Sequence, residues 1–204
     1  MNLPPYDRDG ARALIKEKPG VPFSAFDTAT RAHRRSALNR EDEAALLFCL
    51  AAERADAEYA ADGSKPNQAM NHVVRAGIAF NRAGEIAIAE PLLRQAIAFD
   101  WIAQGLPQDK HMIEWAFYHL LLNVKGEADR FVSLFDEAVS RSAEVGRDFT
   151  TIHPHQEHLL DIAIEMGQRP IVQRLAGKIA GRRPAKKAIK DLLKRAETFL
   201  SDRA

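Results

Sequence analysis

The chain has 204 residues, of which 46% are hydrophobic and 28% are charged, a balance typical of folded globular proteins and not of disordered ones. Its 29 basic and 28 acidic residues leave a formal net charge of +1, which gives the molecule as a whole no electrostatic reason to bind nucleic acid or a membrane surface. A single cysteine, Cys49, excludes an internal disulfide. No uncharged apolar stretch approaches the ~20 residues that span a bilayer, and the N-terminus lacks the pattern of a secretory signal. We therefore expect a cytoplasmic protein.

Apolar residues recur with helical spacing along nearly the whole chain, and strict alternation is absent, which predicts an all-α fold. A short helix is predicted over residues 7–18, and a second one within 19–40 that Asp27 or Thr28 caps. A longer helix over 41–61 starts with acidic residues, which favour the positive end of a helix dipole. The remaining predicted helices form three pairs and one final single helix: 67–83 with 85–104, 109–125 with 127–145, 154–166 with 169–180, and 185–201.

Three glycines separate the members of these pairs at similar intervals. Gly84, Gly126 and Gly167 lie 42 and then 41 residues apart, each between two runs of helical periodicity. Glycine is a common signal for the end of a helix. We expect the chain to turn back at each glycine and to form antiparallel helical hairpins.

Two predicted helices are informative because of the faces that they present. Residues 112–124 are apolar nearly all round, which is typical of a helix covered on several sides. The final helix instead has one apolar stripe and one lysine-rich face. A helix of that kind is expected to cap the end of a helical stack.

Small residues occupy regular positions in the first predicted pair, namely Gly77 in its first helix, Gly84 in its turn, and Ala89 and Ala96 in its second helix. With Phe80 in its first helix, the stretch from about 70 to 103 resembles a tetratricopeptide repeat, which needs small residues where its two helices cross. Leu93 replaces the aromatic residue that is usual in the second helix. Two looser repeats follow. The residues that match in them are Trp115, Gly126 and Ala138 in the second and Gly167 and Pro184 in the third, whereas His119, Phe131, Leu160 and Val172 replace small residues.

The resemblance implies a right-handed stack of antiparallel hairpins over residues 41–204, preceded by an N-terminal extension of residues 1–40. It also implies a concave surface that binds a protein or peptide, as an adaptor or regulatory scaffold would. The side chains expected on this surface are Asn71, Arg75, Asn81 and Arg82 from the first repeat, Asn123 from the second, and Glu157 and Asp161 from the third. The alternative is that this face is ordinary polar surface, or is filled by residues 1–40.

A second candidate site is a basic cluster near the C-terminus, which contains a single acidic residue, Asp191. Such an excess of positive charge can attract phosphates. The cluster therefore suggests nucleic-acid binding as an alternative function, although a charge run of this kind on a helix is usually a solvated face. Its members are Lys178, Arg182, Arg183, Lys186, Lys187, Lys190, Lys194 and Arg195.

A third candidate site contains His153, His155 and His158, with Glu157 beside them. Neutral imidazole is a favoured zinc ligand, so a metal-dependent enzyme is a further alternative; exposed histidines at a helix start are the simpler interpretation. The string also looks like the His-x-His-x-Asp-His signature of metallo-β-lactamase-type hydrolases, with Glu157 in place of Asp. That family needs a β-strand before the motif, and the sequence predicts no strand there. The sequence has no Gly-rich phosphate loop and no Gly-x-Ser-x-Gly elbow, so we expect a binding protein without a cofactor.

Overall fold

A computed structural model describes residues 2–64, 66–151, 155–181 and 186–202 of the chain. Regular structure within these ranges is helical, apart from one isolated bridge between Lys18 and Val21. The predicted all-α fold class is confirmed. The ten helices are α1 (Arg8–Leu14), α2 (Ala25–Ala37), α3 (Glu41–Ala61), α4 (Ala69–Arg82), α5 (Ile86–Ala98), α6 (Met112–Asn123), α7 (Ala128–Glu144), α8 (His155–Glu165), α9 (Arg169–Ala180) and α10 (Lys187–Ser201).

The start of α2 corrects one prediction, because its N-cap is Ser24 and not Asp27 or Thr28. The Ser24 hydroxyl accepts a hydrogen bond from the Asp27 backbone N–H (3.0 Å) and donates one to the Asp27 carboxylate (2.8 Å). This reciprocal arrangement satisfies a backbone donor that the first turn of a helix leaves free. Asp27 thus lies three residues inside the cap.

The end of α5 corrects another prediction, since the helix stops at Ala98 and not near residue 104. Phe99 is extended, and the Asp100 carboxylate accepts hydrogen bonds from the backbone N–H groups of Ile102 and Ala103. An aspartate that bonds to backbone groups just after itself favours a turn over a continued helix. The apolar pattern of the sequence extends beyond the end of the helix because the side chain of Trp101 is buried.

The three recurring glycines lie between helices as predicted, with backbone φ of +86° at Gly84, +98° at Gly126 and +69° at Gly167. Gly84 separates α4 from α5, and the N–H that follows it, on Glu85, donates to the Phe80 carbonyl (2.9 Å). Gln168 after Gly167 donates to Ala163 in the same way (2.9 Å). These bonds, together with a left-handed glycine, satisfy the last carbonyls of a helix and reverse the chain.

By compactness the chain divides into two units, residues 1–119 and 120–204, with the division inside α6. In the first unit, α3 packs against α1, α2 and α4, and α4 packs against α5. The proposed N-terminal extension, residues 1–40, belongs to this unit. Gly77 marks a close approach between α4 and α5, because a Cβ added there would lie 3.1 Å from the Cβ of Leu92.

In the second unit, α8 and α9 pack against each other and α10 packs against both. Only Ala196 of α10 is buried, while the rest of its apolar stripe is partly exposed. Helix α6, which crosses the division, is buried along most of its length as its composition predicted. None of the helices in the described residues is long and apolar enough to cross a membrane.

Candidate functional site

The candidate site is a pocket of about 270 Å³ in the first unit, which we call the Arg75 pocket. Helices α2, α3 and α4 supply most of its walls, and α6 supplies one aromatic side chain. The lining residues are His33 and Ser36 of α2, Glu41 and Phe48 of α3, Arg75, Ile78, Ala79 and Arg82 of α4, and Trp115 of α6.

Arg75 is the central charged group of this pocket. Its side chain is partly buried, and burial is the main reason that its pKa is lowered, although the Asp109 carboxylate opposes the shift. Among the described residues the Arg75 guanidinium has no hydrogen-bond or ion-pair partner. A partly desolvated cation without a hydrogen-bond or ion-pair partner is unfavourable, so an anion that enters the pocket would stabilise it.

The second arginine, Arg82, is more exposed and has a partner. Its Nη1 lies 3.4 Å from Glu41 Oε1, with 48% of the Arg82 side chain exposed. Ser36 donates a hydrogen bond of 2.9 Å to the same Glu41 oxygen. The other oxygen, Glu41 Oε2, is buried without a hydrogen-bond partner in the described part of the chain. Arg82 thus has an ion-pair partner, whereas Arg75 has only the electrostatic interaction with Asp109 among the described residues.

Two histidines surround Arg75 and are kept uncharged. The His33 ring meets the Phe48 ring edge-on, with centroids 4.9 Å apart, and desolvation and Arg75 lower the pKa of His33. Burial, with smaller effects of Arg75 and His33, lowers the pKa of His72 to about 4. At neutral pH the positive charge of the pocket therefore comes from the arginines.

The other two α4 residues predicted to bind a peptide form hydrogen bonds within the unit. Asn71 is only 7% exposed, and its Nδ2 donates to Gln68 and to Asp109. The Nδ2 of Asn81 lies 3.3 Å from Nδ1 of His119. The structure therefore brings Arg75 and Arg82 together in one pocket and places Asn71 and Asn81 outside its lining.

The remaining residues predicted for the concave surface belong to the second unit. Asn123 ends α6, and its Nδ2 is buried without a hydrogen-bond partner among the described residues. Asp161 accepts a hydrogen bond of 2.6 Å from Arg195. Glu157 lies in the first turn of α8 and is partly exposed.

The basic cluster is partly neutralised by neighbouring acids. Lys178 forms an ion pair of 2.8 Å with Asp148, and Arg195 forms the pair with Asp161 already described. Arg182 and Arg183 lie outside the described residues. The four lysines near and on α10 are exposed: Lys186, Lys187, Lys190 and Lys194.

The histidine cluster is only partly within the described structure, since His153 lies outside it. His155 is the first residue of α8, and the exposed His158 follows one turn later. Among the described residues there is no group of three or more His, Cys, Asp or Glu side chains placed to hold a metal ion.

Comparisons with known proteins give no significant match to a family model, to a curated protein or to a solved structure. The fold defines the class of the molecule as an all-α protein of packed helix pairs, which is compatible with a helical repeat array.

Proposed function

We propose that this protein is a binding module whose first unit takes an acidic segment of a protein or peptide partner, with one carboxylate held in the Arg75 pocket. The observation that carries the proposal is the partly buried Arg75 guanidinium, which has no hydrogen-bond or ion-pair partner among the described residues. Guanidinium presents N–H groups in a planar fork that pairs with both oxygens of a carboxylate.

The size of the pocket favours a single side chain or a chain terminus over a whole small molecule. Its volume of about 270 Å³ lies near the lower limit of ~300 Å³ for pockets that enclose small ligands. Phe48, Ile78 and Trp115 supply an apolar wall beside the charged group. A charged anchor beside aromatic surface is typical of the residues that dominate the energy of protein interfaces.

The proposed array is tetratricopeptide-like, and this part of the proposal rests on Gly77 and Gly84. Gly77 permits the close crossing of α4 and α5, and Gly84 permits the tight turn between them. A hairpin packed in this way holds α4 rigid before a partner binds. Preorganisation reduces the entropic cost of association on the side of this protein.

The test measures the affinity of the protein for pairs of peptides with blocked termini. The two peptides of a pair differ at one position, where one has Asp or Glu and the other has Asn or Gln. The wild-type protein is compared with Arg75→Gln and with Arg94→Gln, a control on α5. We expect Arg75→Gln to weaken binding of the acidic peptides about tenfold or more, because a hydrogen bond to a charged group contributes about 1.5–3 kcal/mol. Arg94→Gln should leave binding unchanged. Equal affinity for acidic and amide peptides, or equal loss in both variants, would refute the proposal.

A second candidate function is nucleic-acid association through the exposed lysines of α10. The favouring observation is the exposure of Lys187, Lys190 and Lys194 on one helix. Phosphate contacts make affinity fall steeply with salt. Salt-dependent binding of DNA or RNA that is lost when these lysines become glutamine would support this function, and its absence would remove it.

The proposal of a zinc enzyme at His153–His158 is tested by zinc titration of the purified protein.

A further inference from the structure

Two different helices of the first unit hold the ends of residues 2–6, which we call segment 2–6. At its start, the backbone N–H of Asn2 donates to Oε1 of Gln95 (2.9 Å), and Nε2 of Gln95 donates to the carbonyl of Asn2 (2.7 Å). At its end, the Tyr6 hydroxyl donates to Oε2 of Glu53 (2.6 Å). Gln95 belongs to α5 and Glu53 to α3, so the segment connects the surfaces of these two helices.

The two prolines of segment 2–6 explain why it has no regular secondary structure. Pro4 and Pro5 fix their own φ at about −65°, and each disfavours helical backbone in the residue before it. Neither proline has a backbone N–H. Within the described part of the chain, segment 2–6 forms no backbone–backbone hydrogen bond. Side chains of the helices therefore hold this segment in the way that a protein holds a bound extended peptide.

Gln95 contacts the main chain of the segment and not a particular side chain. A primary amide offers an acceptor and two donors, and Gln95 uses one of each with the N–H and C=O of a single residue. Every residue except proline presents the same two groups. Both hydrogen bonds lie at the exposed surface, so another extended segment can form them in place of Asn2.

Glu53 supplies the contact that selects a tyrosine. Burial, together with the hydrogen bond to Glu53, raises the pKa of Tyr6, so the hydroxyl keeps its proton and acts as a donor. The Glu53 side chain is 26% exposed, and it also forms an ion pair of 2.6 Å with Arg8. Arg8 belongs to α1, which packs against α3. Because Arg8 pairs with Glu53, release of Tyr6 does not leave a partly buried carboxylate without a partner.

We propose that Gln95 and Glu53 belong to a peptide-binding surface that segment 2–6 covers, and that its external ligand is an extended, proline-rich segment of a partner protein with a tyrosine four residues after the residue bound by Gln95. Prolines in the ligand reduce the entropy that it loses on binding. Segment 2–6 competes as a tethered ligand, so it lowers the apparent affinity for the partner. This inference does not depend on the function proposed for the Arg75 pocket, whose lining includes neither Gln95 nor Glu53.

The experiment titrates the peptide Asn-Leu-Pro-Pro-Tyr, with blocked termini, into the ¹⁵N-labelled full chain and follows the side-chain amide of Gln95 and the backbone amide of Glu53. Wild type is compared with Tyr6→Ala, which loosens the segment but leaves Gln95 and Glu53 in place. The variant should bind the peptide at least about fivefold more tightly than wild type, because the tethered competitor is weakened. Equal affinity of the two proteins, or no saturable shift in Tyr6→Ala up to about 10 mM peptide, would overturn the proposal.

A second peptide, with Phe in place of Tyr, tests the role of Glu53. It should bind Tyr6→Ala about fivefold more weakly than the tyrosine peptide, because it lacks the hydroxyl donor. The difference should disappear when Glu53→Ala is added to Tyr6→Ala, since the acceptor is then missing. A difference between the two peptides that persists without the Glu53 carboxylate would contradict the proposed contact.

Further variants separate release of the segment from general destabilisation. Pro4→Gly and Pro5→Gly keep Tyr6 but make the segment more flexible, so both should bind the peptide more tightly than wild type. Tyr59→Ala, which removes an exposed tyrosine of α3 outside this surface, should bind it as weakly as wild type. Far-UV circular dichroism verifies that each variant is folded. A dimer in analytical ultracentrifugation that forms through segment 2–6 would make a second copy of this chain the partner and would overturn the proposal of a separate protein.

Discussion

Acidification should weaken the first unit through His72, whose imidazole is held in its neutral form. Burial is the largest cause, and the nearby Arg75 and His33 side chains add to it, so that the pKa of His72 falls to about 4. The buried His72 Nδ1 has no hydrogen-bond partner among the described residues. In the unfolded chain the imidazole is hydrated, and its pKa returns to about 6.5.

The direction and size of the effect follow from these two pKa values. A histidine with a lower pKa in the folded state binds fewer protons there than in the unfolded state, so its contribution to stability is complete above about pH 6.5 and is lost as the pH falls toward 4. With pKa values of about 6.5 unfolded and about 4 folded, the free energy of unfolding should fall by about 2 kcal/mol between pH 7 and pH 5.

The assay is urea unfolding at pH 7, 6 and 5, followed by tryptophan fluorescence. Both tryptophans, Trp101 and Trp115, belong to the first unit, so the signal reports on that unit. The variant His72→Gln removes the titrating group, while the carboxylates titrate equally in both proteins. Wild type should lose about 2 kcal/mol more than the variant between pH 7 and pH 5. Parallel loss in the two proteins would refute this account of His72.

Two further predictions concern packing and the N-terminal segment. Gly77→Ala should lower the free energy of unfolding by about 1 kcal/mol, because the clash with Leu92 exceeds the gain in helix propensity. Gly177→Ala, whose added Cβ would meet nothing within 4 Å, should instead raise the melting temperature measured by circular dichroism. A change in stability of the same sign in both variants would contradict the close crossing at Gly77. Tyr6→Phe should cost about 1 kcal/mol in urea unfolding, because the Tyr6 hydroxyl donates a hydrogen bond of 2.6 Å to Glu53, and unchanged stability would contradict that bond.

Features that depend on neighbouring residues in sequence were predictable. The glycines at 84, 126 and 167 end helices because only the local backbone decides where a left-handed residue fits. Helix α3 coincides with its predicted range of 41–61, since its acidic start and its Asp62-Gly63-Ser64 stop are both local signals. The predicted N-cap of α2 was wrong because several consecutive residues can cap a helix. Which of them does so depends on side-chain geometry, and the structure shows that it is Ser24.

The candidate site was predictable only in part, because tertiary packing assembles it. The resemblance to a tetratricopeptide repeat predicted Arg75 and Arg82 on one surface of α4. His33 and Phe48 reach the same pocket from α2 and α3, which no local pattern connects with α4. Trp115 was predicted to occupy a repeat position, and its place in the lining of this pocket was not predicted.

The most direct test of the central claim is the NMR signal of the Arg75 side chain. During titration with a blocked acidic peptide, the Nε–H resonance of Arg75 should shift and saturate together with the indole N–H of Trp115, because both side chains line the pocket. The matched peptide with amides in place of carboxylates should leave both signals unchanged. An acidic peptide that binds without moving the Arg75 resonance, or no binding of acidic peptides at all, would contradict the account.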